Sequence, residues 1–208
     1  MSQRNRKRRP ARKQPYRTPK IRILVVSEGT VTEREYIDGL AAAYRNSTRV
    51  DVETVGLGAD PKTVVEQAKM LRAKNQQEAD RAGDQNLLYE QVWCAFDRDD
   101  HTTWDVAIQM AKDNQLLLAA SNPSVELWLL LHFVPNPGMQ GRKEIRRRLK
   151  SYDFSYDKHV NFAIYEKTHK EAVQRGLRMD AISIEDSELH RNPTTGFHAL
   201  VSAIMEAS

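Results

Sequence analysis

Residues 21–30 read Ile21-Arg22-Ile23-Leu24-Val25-Val26-Ser27-Glu28-Gly29-Thr30, and this stretch decides the fold. It is apolar apart from Arg22 until Ser27, as a strand covered on both faces must be. It then breaks at a Glu-Gly pair. A second stretch repeats the design: Gln91-Val92-Trp93-Cys94-Ala95-Phe96 runs into Asp97-Arg98-Asp99-Asp100. In a parallel α/β sheet, strand ends of one polarity lie side by side, and ligands bind in the crevice beyond them. Such a sheet brings Glu28 beside Asp97 although they are far apart in sequence. Several carboxylates in one crevice repel each other and favour a cation among them; an oxygen-only donor set suits Mg²⁺ or Mn²⁺.

Working outward, strands and helices alternate. A helix is expected over Thr32–Tyr44, with Thr30-Val31-Thr32-Glu33 at capping-box spacing before it. Val50–Val55 alternates as a strand. Asp60-Pro61 opens a long helix with an apolar stripe at Val64, Val65, Ala68 and Leu71. After Gln91–Phe96 come a helix near Trp104–Lys112, a short strand at Gln115–Ala120 and an apolar helix at Ser124–Phe133. This order predicts a parallel sheet with helices on both faces. Past Pro135-Asn136-Pro137-Gly138 the strand signal stops. Gly141–Lys150, Tyr156–Met179 and Pro193–Ala207 read as helices of a C-terminal appendage. The expected organisation is a basic arm over 1–20, an α/β core over 21–135 and a helical region over 136–208 packed on the core.

Composition sets limits. The 208 residues are 40% hydrophobic and 29% charged, as in an ordinary globular protein. No apolar run approaches the roughly 18 residues of a membrane span, and no secretory signal pattern follows the basic N-terminus, so a cytoplasmic protein is expected. The one cysteine, Cys94, excludes an internal disulfide and reads as buried and inert. The net charge of +4 conceals segregation. Residues 1–22 hold ten Lys or Arg and no acid, which leaves 22 basic against 28 acidic residues elsewhere, or −6. Such an arm suits contact with a polyanion. Arg142, Lys143, Arg146, Arg147, Arg148 and Lys150 form a second basic run, on a helix anchored by Ile145 and Leu149, and suggest a nucleic-acid backbone as partner. No phosphate-loop motif is present, so the chain is not expected to be a P-loop ATPase itself. His132 reads as a core residue.

The chain resembles the RloB-like family, whose core is a Toprim domain. The resemblance rests on Val25-Val26-Ser27-Glu28-Gly29-Thr30-x-Thr32-Glu33, Phe96-Asp97-Arg98-Asp99-Asp100-His101, Ser121-Asn122-Pro123-Ser124-x-Glu126-Leu127-Trp128, Tyr165-x-Lys167 and Asn192-Pro193-Thr194-Thr195. It implies a Toprim or Rossmann-like sheet and Mg²⁺ (or Mn²⁺) held by Glu28, Asp97 and Asp99. By likeness to OLD-type nucleases it adds Glu126 as a later ligand. It implies a catalytic set of Glu28, Asp97, Asp99 and Lys167, with Glu28 suited either to ligation or to proton transfer. The implied activity is metal-dependent hydrolysis of RNA or DNA in antiphage defence, beside a nearby-encoded ATPase. The alternative is a non-catalytic Toprim-like module that binds nucleic acid or a partner. Glu33 is expected to serve the capping box, and Asp100 to cap the following helix.

Overall fold

The apolar run becomes β1 (Ile21–Ser27), an inner strand of a four-stranded parallel sheet in which β2 (Val50–Gly56) and β3 (Gln91–Ala95) flank it and β4 (Leu117–Leu118) follows β3. The computed structural model describes residues 20–45, 49–98 and 102–206. The expected basic arm therefore lies outside the described residues except at Lys20, as do Asp99, Asp100 and His101. Side chains of β1 alternate between two cores, as strand geometry requires. Ile23 and Val25 enter one cluster, Leu24 and Val26 the other, and all four are fully buried. The register sets Ser27 beside both Gly56 and Ala95, so three chain segments leave the sheet at one edge.

Helices cover both faces. On one lie α2 (Pro61–Ala82) and α3 (Trp104–Asp113), packing Val64, Val65, Ala68, Trp104 and Ile108 on the sheet. The cap of α2 is as expected: the Asp60 carboxylate accepts the Lys62 N–H at 3.1 Å, and Pro61 begins the first turn. On the other face lie α1 (Thr32–Tyr44), α4 (Glu126–Leu131), α5 (Arg142–Leu149), α6 (His169–Glu185) and α7 (Phe197–Glu206). One continuous cluster joins Tyr36 and Leu40 to Trp128, Ile145, Val173, Phe197 and Leu200. The helices after Pro135 thus share a core with the sheet. No helix among the described residues is long and apolar enough to cross a membrane.

His132 is a core residue. It is 2% exposed, its Nε2 lies 3.1 Å from the Tyr36 hydroxyl and its Nδ1 lies 2.9 Å from Thr168 Oγ1. Burial disfavours its charged form and pushes its pKa down to about 3. Cys94 is fully buried, and its thiol is pushed up to about 12 by the same cause.

Four local expectations are corrected. Tyr156–Met179 is not one helix: a 3₁₀ turn at Phe162–Ile164 precedes α6. Side chains of distant residues claim the backbone before it; Glu35 accepts the Val160 N–H at 2.6 Å, and Thr32 donates to the Lys158 carbonyl at 2.7 Å. The last helix starts at Phe197 rather than Pro193. Thr194–Thr195 instead forms β6, antiparallel to β5 (Ser121–Asn122). Two-residue strands are too short to carry a period, which hid both. The strand at Gln115–Ala120 shrinks to Leu117–Leu118. The capping box is absent, since the residue before α1 is Val31, with no side-chain cap bond, and Glu33 reaches back to Gly29 instead.

Candidate active site

The sheet edge where β1 and β3 end opens into a cavity of about 390 Å³. Its acidic lining is Glu28, Glu33, Asp60, Asp97 and Glu126; its basic lining is Arg142 and Lys158. Each position follows from the fold. The Glu28 N–H extends the ladder to the Ala95 carbonyl at 2.8 Å, and Glu28 Oε2 accepts the Asp97 N–H at 3.2 Å. The ends of β1 and β3 are therefore tied through a carboxylate. Asp97 bridges to Ser121, and the Arg98 N–H donates to the Ser121 carbonyl at 2.8 Å, which carries the chain toward α4. Glu126 begins α4 and is 2% exposed. Both of its carboxylate oxygens are held: Ser124 donates to Oε2 at 2.7 Å and Tyr156 to Oε1 at 3.1 Å.

Glu33 is a member of this cluster that the sequence reading assigned to capping. It is 5% exposed, and its Oε1 accepts the Gly29 N–H at 3.1 Å. A Cβ on Gly29 would stand 2.0 Å from the Glu33 carboxylate, so any larger residue there would displace it. Asp60 lines the cavity but serves α2: it accepts from Lys62 N–H, from Thr63 Oγ1 at 2.6 Å and from Thr103 Oγ1 at 3.1 Å. Those bonds lower its pKa, the Thr63 hydroxyl most of all.

Burial dominates the electrostatics of the other acids. It raises the Asp97 pKa well above the usual carboxylate range, and the charges of Glu33, Glu126 and Glu28 add to the rise, against an opposing pull from Arg142. Glu33 is raised chiefly by burial as well; bonds to backbone N–H groups oppose this, and Glu28 and Glu126 reinforce it. An acidic cavity that cannot keep all its charges is the imbalance a divalent cation relieves, and carboxylate oxygens are the donors Mg²⁺ and Mn²⁺ take. The chemistry of the donor set thus fits such an ion. Among the described residues, no three His, Cys, Asp or Glu side chains stand grouped as a ready ligand set. Asp99, expected as a ligand, lies outside the described residues.

The cation that lines the cavity is not the expected Lys167. Lys167 is exposed and absent from the cavity lining, whereas Lys158 lines it. Lys158 has φ +76°, a left-handed conformation costing a non-glycine residue about 1–3 kcal/mol. Neighbouring contacts enforce it. Thr32 binds its carbonyl, and Glu35 accepts from the Val160 N–H and lies 2.9 Å from His159 Nδ1. No periodicity signals such a residue, because long-range contacts create it.

The basic run on α5 divides. Arg142 lines the cavity. Arg147 is paired with Glu144 at 2.6 Å, Arg148 donates to the Pro137 carbonyl at 2.7 Å, and Arg146 lies 5.9 Å from the Tyr156 ring. Lys143 is exposed.

The β2–α2 loop closes one side of the cavity, and Gly56 allows it. A Cβ at Gly56 would stand 2.7 Å from the Gly29 carbonyl oxygen and 2.8 Å from Thr30 Cα. Both are backbone atoms, so Gly56→Ala is expected to cost about 1–3 kcal/mol and to lower Tm by roughly 3–10 °C in a melting curve. An unchanged Tm would mean that the loop moves independently of the β1 turn.

Fold and cavity define an α/β protein with an acidic crevice at the carboxyl ends of its parallel strands. The chain matches the model of the RloB-like protein family over residues 23–204 and belongs to that family. No curated protein and no solved structure matches it.

Proposed function

We propose that the protein is a Mg²⁺- or Mn²⁺-dependent phosphodiesterase of Toprim type, a nuclease acting on RNA or DNA in antiphage defence, with an ATPase as partner. The observation that carries the chemistry is the convergence of Glu28, Glu33, Asp97 and Glu126 on one cavity, with Asp97 pushed toward protonation. Glu28, Asp97 and Glu126 would hold the ion, joined by Asp99 as the sequence implies. When bound, it supplies Lewis-acid stabilisation of phosphoryl oxygens and lowers the pKa of a coordinated water.

The chain's own residues do the remaining work. Ser124 and Tyr156 fix the orientation of Glu126. The Asp97 N–H fixes Glu28. Arg142 and Lys158 place positive charge in an otherwise acidic cavity, where a phosphate must enter. Glu33, tied to the Gly29 N–H and with its pKa raised chiefly by burial, holds a proton more readily than an ordinary carboxylate does. The second reading is a non-catalytic module of the same fold that binds nucleic acid or a partner.

Incubation of labelled RNA and DNA with the purified protein decides between them. The nuclease reading expects cleavage with Mg²⁺ or Mn²⁺, loss of cleavage in EDTA and none with Asp97→Ala. Intact substrates under all metals, with and without a co-expressed ATPase from the same locus, would leave only the non-catalytic module.

A further inference from the structure

We propose that the exposed ring of Phe154, two residues after the half-exposed Tyr152, is a stacking platform for an unpaired base, and that the nucleic acid taken at the carboxylate cavity is single-stranded. The inference rests on the nucleic-acid reading of that cavity and adds the strandedness of its ligand.

Phe154 is 87% exposed, the most exposed of the large hydrophobic side chains among the described residues. It is held outward by its neighbours. Asp153, 1% exposed, accepts the Ser155 N–H at 3.2 Å, the Ser155 hydroxyl at 2.7 Å and the Tyr165 hydroxyl at 2.7 Å. Tyr156, 1% exposed, points inward and donates to Glu126 in the cavity. With both flanking anchors buried, the turn leaves Phe154 in water. The Phe154 backbone is two residues, at most about 7 Å of chain, from Tyr156, whose hydroxyl touches Glu126.

Tyr152, 47% exposed, stacks on Phe133 with ring centroids 5.1 Å apart and planes 6° apart, so its orientation is fixed too. The chain leading into the turn is cationic. The turn follows directly on α5, whose Arg142 lines the cavity, and Lys143 and Lys150 are exposed at its two ends. Flat aromatic faces beside cations bind single strands, because the rings take bases while the cations take the backbone. A duplex buries its base faces and offers such a ring nothing.

The test is binding without catalysis. Fluorescence anisotropy of labelled oligo(U), oligo(dT) and a duplex of equal length is measured in EDTA for wild type and Phe154→Ala. Folding is safe, because the ring is exposed. Affinity for the single strand is expected to fall about tenfold, affinity for the duplex less than twofold, and the salt dependence to stay unchanged because no charge is lost. Phe154→Trp should retain binding and show quenched emission when either single strand is added. A loss on oligo(U) alone assigns RNA and a loss on oligo(dT) alone assigns DNA; either supports the platform. Single-strand binding by Phe154→Ala within twofold of wild type overturns it, the result expected if the ring serves a protein partner instead; an equal loss on duplex overturns it too, because the ring would then not distinguish unpaired bases. Wild type that binds no nucleic acid overturns the platform, and overturns the reading it rests on as well if it also leaves RNA and DNA intact with Mg²⁺ or Mn²⁺. Metal-dependent cleavage with unaltered Phe154→Ala binding overturns the platform alone.

Discussion

Asp97→Asn is expected to reduce metal-dependent cleavage by roughly 10³-fold or more, as removal of an essential catalytic group does. Asparagine is nearly isosteric. It retains the backbone bridge to Ser121 and the N–H that Glu28 accepts, so β3 and the turn beyond it are unaltered. What is lost is one anionic oxygen pair at the point where burial and three other carboxylates converge. Asp60→Asn is the matched control. Asp60 lines the same cavity, but its carboxylate is committed to the α2 cap through Lys62, Thr63 and Thr103. Asparagine caps a helix about as well as aspartate, so this replacement should cost less than about 1 kcal/mol of stability, with cleavage changed less than tenfold. Single-turnover rates on a labelled oligonucleotide measure both. An Asp97→Asn rate within tenfold of wild type would remove Asp97 from the chemistry.

The second large effect is on stability. A ligand that binds only the folded chain stabilises it by about 2.7 kcal/mol at one hundred times its Kd, which for a chain of this size raises Tm by roughly 5–10 °C. Mg²⁺ or Mn²⁺ at millimolar levels is expected to do this for wild type and to do less for Asp97→Asn. The pH dependence without metal has a definite sign. Asp97 and Glu33 have raised pKa values when folded, so between the ordinary carboxylate range and those raised values the folded chain holds more protons than the unfolded one. Their contribution therefore lowers stability as pH rises through that window. In EDTA, Asp97→Asn should melt higher than wild type near pH 7, and the difference should shrink as the pH falls toward 4. A wild-type melt indifferent to both metal and this substitution would show that the acids are not under mutual strain.

How much of this was legible in the sequence depends on the range of the forces involved. β1 and β3 stop just before Glu28 and Asp97 because apolar runs must be covered and acids must not, and that contrast is local. The cap of α2 at Asp60-Pro61 is local as well. Glu33 was misread because capping-box spacing explains an acid three residues after Thr30; its true neighbour, the Gly29 N–H, depends on how tightly the turn folds. Lys158 was invisible because its left-handed backbone is set by Thr32 and Glu35, more than a hundred residues away. Lys167 attracted notice through its neighbour Tyr165, but it is Tyr165 that turns inward, fully buried and donating to Asp153. The basic α5 looked like a uniform cationic surface. Glu144 neutralises Arg147 locally on the helix surface, and Arg148 is committed to the Pro137 carbonyl, so part of that charge is already engaged within the chain.

The central claim is that the carboxylates gathered at the ends of β1, β3 and the start of α4 hold a divalent ion. An anomalous-difference map from crystals soaked in millimolar Mn²⁺ tests this most directly. The account predicts a peak within the cavity bounded by the carboxylates of Glu28, Asp97 and Glu126, and its loss in Asp97→Asn crystals. A cavity without a peak, or the same peak undiminished in Asp97→Asn, would contradict it.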